Sequence, residues 1–424
     1  MNIKQLHNIF LKHPSVSTDT RKIRKNDLYF ALKGDNFNGN EFTAQALENG
    51  ASYCIIDEEK FAVNKHCIVV EDVLKTLQKL ATLHRTFLNL PIIALTGSNG
   101  KTTTKELIHT VLSKKYKTSA TIGNLNNHIG VPLTLLKMNS DTEMGIVEMG
   151  ANHKKEIDFL CNIALPDFGL ITNFGKAHLE GFGSITGVIE GKSELYKHLI
   201  SHKKPIFINS NDPIQLMKSK DAKTITFGNK KTDDYEIYFK GAQPNVTVTF
   251  NNNEINSQLI GEYNFNNISV AIAIGSYFNV DDKRIKEAIE NYTPKNNRSQ
   301  IVEKGTTKII LDAYNANPSS MTVALQNFGK LEAKNKIAIL GDMFELGQDA
   351  KKEHIAIAEL AKSLNINKVI FIGKNFHDAI QNTNETYKSF NDFKAQFNLK
   401  NLENSNILIK GSRGMALERI LDLL

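Results

Sequence analysis

The chain has 424 residues, 41% hydrophobic and 23% charged, with a formal net charge of +7, long enough for roughly two to four domains with buried cores. No apolar run approaches the roughly 18 residues of a membrane span, and the first ten residues lack a signal-type apolar stretch. The three cysteines, none in a CxxC pair, argue against a disulfide framework or a thiolate zinc site. The expectation is a reduced, cytoplasmic protein. Its lysines fall singly or in pairs, so the charge predicts no nucleic-acid-binding arm, and no heptad pattern argues against a monomer.

In chain order, residues 1–85 mix strand-like runs at 28–32, 53–56 and 67–70 with turn clusters, a short helix over 42–49 and a helix over 72–87. This predicts a small α+β domain. Residues 86–293 change grammar: a buried strand at 92–95, a Gly-rich turn and a helix at 103–112. Further strands follow at 145–148, 168–172 and 205–209, the pattern of a mostly parallel sheet covered by helices. The alternating runs YEIYF (235–239) and VTVTF (246–250) predict antiparallel hairpins on its edge, and 265–278 a closing helix. From residue 294 to 424, apolar strands at 309–311, 337–340, 369–372 and 407–409 alternate with helical stretches at 321–328, 354–363 and 415–423. The predicted fold class is α/β, in three domains.

The most informative string is IIALTGSNGKTTT at 92–104. A buried strand ends at Gly97 and Gly100, and Lys101 and Thr102 open a helix. Glycines let the backbone wrap a phosphate, and the amides and helix N-terminus favour negative charge. The loop Gly97, Ser98, Asn99, Gly100, Lys101, Thr102 and Thr103 is therefore the expected nucleotide-binding set. Lys101 would reach the terminal phosphates and the Thr102 hydroxyl a Mg²⁺. The GxxGKT spacing is shorter than the usual GxxxxGKT, and a plain surface turn is the alternative.

Glu148 ends a strand and could point toward the loop, or form an ordinary salt bridge. His178 could contact metal or phosphate, or be a packing residue. Lys192, entering a helix in IEGKSE, reads by itself as a solvated lysine.

Together these segments, in order along essentially the whole chain, resemble the Mur ligases, ATP-dependent amide-bond synthetases of peptidoglycan assembly. The resemblance implies a uridine-nucleotide-binding first domain, a central P-loop domain and a C-terminal Rossmann-like domain. It makes Thr102, Glu148, His178 and Lys192 Mg²⁺ ligands, with Lys192 carbamylated by CO₂, and it makes Lys101, His178 and Lys192 catalytic. Strings at 121–132 (TIGNLNNHIGVP), 312–319 (DAYNANPS), 340–347 (LGDMFELG) and 410–413 (KGSR) resemble the branch that adds D-alanyl-D-alanine to a UDP-N-acetylmuramoyl-tripeptide. The alternative is the relative that adds the third amino acid to a UDP-linked dipeptide.

By resemblance, Asn264, Asn267, Arg298 and Asp312 would bind the ATP. Ser17, Thr18, Arg21, Asn124, Asn126, Asn127, Asn315, Asn317, Ser319 and Lys410 would bind the other substrates. Two positions depart from the pattern: Tyr263 replaces a common histidine, so it is not carried over, and Asn297 replaces a glycine before Arg298, where Asn tolerates left-handed backbone. Whether the third residue of the tripeptide is meso-diaminopimelate or lysine is left open.

Overall fold

The computed structural model describes residues 1–295, 297–380 and 385–424. Three parallel-rich sheets lie along the chain, of four, nine and six strands. In the first, Val16–Ser17, Leu28–Phe30, Tyr53–Ile56 and Cys67–Val69 run parallel. A helix the sequence reading did not single out, Ile3–Lys12, precedes it, closed by an Asn2 capping box. The helix Val73–Leu88 presents Val73, Leu77, Leu80, Ala81 and His84 to the core, as its spacing predicts, and stops where Asn89 turns left-handed.

The nine-stranded sheet carries the phosphate-loop strand Ile92–Thr96 between Met144–Glu148 and Phe168–Ile171. From that strand the chain first builds one side of the sheet, through Thr118–Ala120 and Met144–Glu148, and then crosses to Phe168–Ile171 on the other. That reversal opens a crevice at the strands' carboxyl ends, the usual ligand position in such sheets. Ile92–Thr96 and Met144–Glu148 are buried along their whole length, whereas Asn245–Phe250 alternates buried and half-buried residues. It forms antiparallel pairs with Tyr235–Ala242 and Asn253–Ile260 on the predicted edge.

In the six-stranded sheet, an antiparallel edge strand Gln300–Lys304 is followed by parallel strands Thr307–Asp312, Asn406–Lys410, Lys336–Gly341, Lys368–Ile372 and Thr386–Tyr387. The stretch expected as a helix at 415–423 is instead two short 3₁₀ turns, Arg413–Met415 and Leu417–Leu423, separated by Ala416 in left-handed conformation. Ala416 at φ 47 cuts the expected helix off from Met415, and the residues beyond it keep tighter turns to the chain end. No helix among the described residues is long and apolar enough to cross a membrane.

Buried apolar residues of all three sheets' surroundings join in one continuous cluster, from Leu6 and Leu80 through Leu135 and Leu195 to Met321 and Phe371. Polar ties supplement it. Arg85, buried on the Val73–Leu88 helix, donates to the carbonyls of Ala164 and Leu165 and to Asp167 at 2.6 Å. His84 Nε2 lies 2.9 Å from the Met138 carbonyl, which leaves its Nδ1 to accept from His7 Nε2 at 3.1 Å. Burial holds both imidazoles below the ordinary 6.5, and the pair's mutual charge lowers His7 further. Imidazoles with depressed folded values bind protons more readily once unfolded, so their stability contribution is complete above about pH 6.5 and is lost as pH falls toward the depressed values. The melting temperature should therefore drop between pH 7.5 and 5.5, and His7→Leu should shrink that drop. An equal drop in both proteins would contradict this role of the pair.

Candidate functional site

A cavity of about 1060 Å³ lies at the carboxyl ends of the second and third sheets. The phosphate loop forms its floor. Gly97, at φ 145, leaves no room for a β-carbon, which would stand 2.0 Å from Thr172 Oγ1. Gly100, at φ 76, would meet Asn267 Oδ1 at 2.7 Å. Both glycines are thus required by conformation and by close approach. The loop is braced from the next strand's end: Asn99 O accepts from Thr172 Oγ1 and Asn173 Nδ2, and Ser98 Oγ donates to Gly175 O. Lys101 Nζ folds back onto Gly97 O at 2.7 Å, and burial lowers its pKa despite the offsetting Glu148 charge.

Thr102 and Glu148 converge. Thr102 Oγ1 donates to Glu148 Oε2 at 2.9 Å, and Asn126 Nδ2 donates to Oε1 at 2.8 Å. Register explains the meeting, because Glu148 pairs with Leu95 in the neighbouring strand. Asn127 Oδ1 accepts from the amides of Ile129 and Gly130 where the helix Gly130–Leu136 begins, while Asn124 lines the cavity beside it.

Farther along the wall, Asn264 and Asn267 are buried. Asn267 Oδ1 accepts from Thr104 and its Nδ2 donates to Asn264 Oδ1. Tyr263, set aside in the sequence reading, also lines the cavity and shares a 2.7 Å hydrogen bond with Ser299; burial raises its pKa. Asn297 does adopt left-handed backbone, at φ 58. The Arg298 guanidinium lies 3.7 Å from the Tyr314 ring, and its Nε has no hydrogen-bond partner. Tyr314 was legible, since it sits inside the DAYNANPS string.

The third sheet closes the other wall. Asp312 and Lys410 are cross-strand neighbours whose side chains meet at 2.5 Å, and Lys410 also reaches Asn315 O. Asn317 caps the helix Pro318–Lys330 and donates to Asn99 Oδ1 at 2.8 Å, while Ser319 Oγ accepts from Lys176 N. Lys176 Nζ adds a 2.7 Å contact to buried Glu353. Phosphate loop and third sheet are therefore in direct contact.

Not every expected residue reaches the cavity wall. Ser17, Thr18 and Arg21 lie on the first sheet's side, and Arg21 is exposed and paired with Asp19. Lys192 is no solvated lysine: it is fully buried, Nζ donates to Ala151 O at 3.0 Å, and it stands behind the cavity-lining segment 150–152. Burial, then the charge of Lys101, lowers its pKa well below the usual lysine range. His178 lines the cavity at φ 52. The sequence reading missed the opposite wall, Asn152 and 154–156, which carried no motif beyond its position after Glu148.

Among the described residues no cluster of three or more His, Cys, Asp or Glu could hold a metal unaided. The convergence of Thr102 and Glu148 beside the phosphate loop nonetheless fits Mg²⁺, which commonly takes one or two carboxylates and completes its shell with substrate phosphates and water. Replacing Gly100 by Ala should weaken nucleotide binding about tenfold or more, since the strain and the Asn267 clash each cost of order 1 kcal/mol. Calorimetric titration with Mg·ADP checks it, and wild-type affinity would contradict the loop geometry.

Three profiles match the chain: the Mur ligase family catalytic domain over residues 14–85, the middle domain over 95–275 and the glutamate ligase domain over 297–413. The UDP-N-acetylmuramoyl-tripeptide–D-alanyl-D-alanine ligase of Bacillus subtilis (strain 168) is 34% identical over 420 residues, covering 96% of this chain and 92% of that protein. A crystal structure of MurF from Acinetobacter baumannii superposes with TM-score 0.86 at 28% identity, over 97% and 93% of the two chains. MurF from Thermotoga maritima in complex with ADP gives 0.82 at 25% identity, over 97% of each. With a phosphate loop, a buried strand-end carboxylate and a third sheet meeting at one cavity, the chain belongs to the Mur ligase family.

Proposed function

We propose that this chain joins the amino group of D-alanyl-D-alanine to the terminal carboxylate of a UDP-N-acetylmuramoyl-tripeptide, converting ATP to ADP and phosphate in peptidoglycan precursor synthesis. The observation that carries the reading is the single cavity where the phosphate loop, Glu148 and the Asp312–Lys410 wall face one another, in a chain similar over its full length to ligases of that name.

A carboxylate does not react with an amine at neutral pH. In the reaction proposed, a carboxylate oxygen attacks the γ-phosphorus, the bond to ADP breaks, and an acyl phosphate forms. The amine then adds to the acyl carbon, loses a proton, and the tetrahedral intermediate expels phosphate. Bringing two anions together needs fixed positive charge and oriented dipoles. Lys101 and the loop amides supply these around the transferring phosphoryl group. Thr102 and Glu148 would hold a Mg²⁺, which when bound offsets charge on the phosphate oxygens. His178, which lines the same cavity, would serve as a further ligand.

Lys192 is the candidate for carbamylation. Burial, which lowers its pKa, favours the neutral amine, the form that adds to CO₂ to give a carbamate and release one proton. A carbamate there would turn a group that repels a cation into one that attracts it. Arg298 on Tyr314, with Asn264 and Asn267, surrounds the nucleotide. Asp312 joins the nucleotide set, while Asn315, Asn317, Ser319 and Lys410 position the dipeptide and screen the acyl phosphate from water. Asn124, Asn126 and Asn127 face the peptide donor, and Ser17, Thr18 and Arg21 take its uridine diphosphate.

ADP release should require Mg·ATP, D-alanyl-D-alanine and a UDP-muramoyl-tripeptide together, with a product heavier by one dipeptide unit by mass spectrometry. Running the diaminopimelate and lysine tripeptides side by side identifies the third residue. Turnover driven by a UDP-muramoyl-dipeptide and a single amino acid would overturn the assignment. With ¹³C-bicarbonate, a carbamate resonance should appear in the wild type and vanish in Lys192→Arg; no resonance in either would remove the carbamate from the account.

A further inference from the structure

Arg298 sits between two residues in left-handed backbone, Asn297 at φ 58 and Ser299 at φ 49. Asparagine enters that region readily, whereas serine stays there only when its surroundings hold it. The turn lies just before the strand Gln300–Lys304, where the chain leaves the central domain for the third sheet. Arg298 lines the cavity, and its Nε, buried, has no hydrogen-bond partner. Its charge is felt at the phosphate loop: burial lowers the Lys101 pKa, and Arg298 lowers it further against the opposing effect of Glu148.

The third sheet holds this turn from one side. Tyr314 N donates to Asn297 O, and Ser299 N donates to Asp312 Oδ1, both at 3.2 Å. On the other side, Ser299 Oγ and Tyr263 Oη share their 2.7 Å hydrogen bond. Among the described residues, that is the only hydrogen bond joining 297–299 to the central domain. Tyr263 directly precedes the helix Asn264–Tyr277, which Asn267 fastens to Thr104 of the phosphate-loop helix. Its ring is fixed without help from the hydroxyl, because it packs on Gly261, where a β-carbon would stand 2.4 Å from the ring edge. The hydroxyl is therefore a separate group, aimed at the one residue that holds the turn to this side.

We propose that Tyr263 is a positioning residue for Arg298: its hydroxyl, acting through Ser299, holds the 297–299 turn against the central domain and so sets the guanidinium toward the nucleotide on the phosphate loop. A phenol reaches farther from the backbone than an imidazole, so the departure from the common histidine gives this chain a contact that the shorter side chain would not make in the same way. The proposal rests on the reading of Arg298 as a nucleotide ligand. It is tested by binding alone, without turnover.

The test is calorimetric titration of the full chain with Mg·ADP. Tyr263→Phe keeps the ring on Gly261 and removes only the hydroxyl. It should weaken Mg·ADP binding about fivefold, the scale of one lost hydrogen bond. Ser299→Ala removes the other end of the bond and should cause a similar loss, and the double variant should be no weaker than either single one. Arg298→Met removes the guanidinium but leaves a side chain to cover Tyr314, and should cost about tenfold. In that background Tyr263→Phe should cost nothing further, whereas a merely structural role would carry its loss into both backgrounds. Wild-type affinity in Tyr263→Phe, or an undiminished fivefold loss in the Arg298→Met protein, overturns the proposal. Wild-type affinity in Arg298→Met overturns it too, by removing Arg298 from the nucleotide site. Failure of the ligase reading would show separately, as wild-type protein that binds Mg·ADP without dipeptide-dependent turnover.

Discussion

The hydrogen bond from Thr102 to Glu148 ties together the geometry of the whole site. A carboxylate only 1% exposed is costly unless its oxygens are satisfied. Here one oxygen accepts from the first turn of the phosphate-loop helix and the other from Asn126, while the residue's amide is held by Thr121 Oγ1. Thr102 belongs to the phosphate-loop helix and Thr121 and Asn126 to the 121–127 connection, so the carboxylate can be buried only if the loop, its own strand and that connection are all in place. The parallel register that sets Glu148 opposite Leu95 meets this requirement, and the crevice beside it follows from the reversal in strand order.

A second layer of interactions binds the third sheet to that crevice. Asn317 reaches Asn99, Ser319 and Glu353 reach Lys176, and Glu345 reaches His178. All of these attach to the phosphate loop or to 172–178, the segment that braces it. Groups that would position the amine are therefore registered directly against groups that would hold the phosphates, not through a distant frame. For a chemistry in which an acyl phosphate must meet an amine before water, such direct registration is the useful arrangement.

Much of this could be read in the sequence because it depends on short-range rules. Strand, glycine turn and helix at 92–112 announce a phosphate loop, and the apolar runs announce buried parallel strands. The helix Ile3–Lys12 was less visible, because its buried face holds only Leu6, His7 and Phe10. The left-handed Ala416 that interrupts the stretch expected as a helix at 415–423 is marked by no composition rule. Lys192 shows the limit most clearly. Its neighbours in sequence are polar, and only tertiary packing against Ala151 O and the Phe182 ring buries it. The His178–Glu345 contact spans 167 positions, so no local pattern could have joined them.

The central claim is that this cavity activates a carboxylate by phosphorylation. Isotope transfer tests it most directly. With a UDP-muramoyl-tripeptide labelled with ¹⁸O in its terminal carboxylate, Mg·ATP and D-alanyl-D-alanine, the phosphate released should carry one ¹⁸O atom from the peptide. Phosphate released without ¹⁸O while the amide product forms would contradict the account.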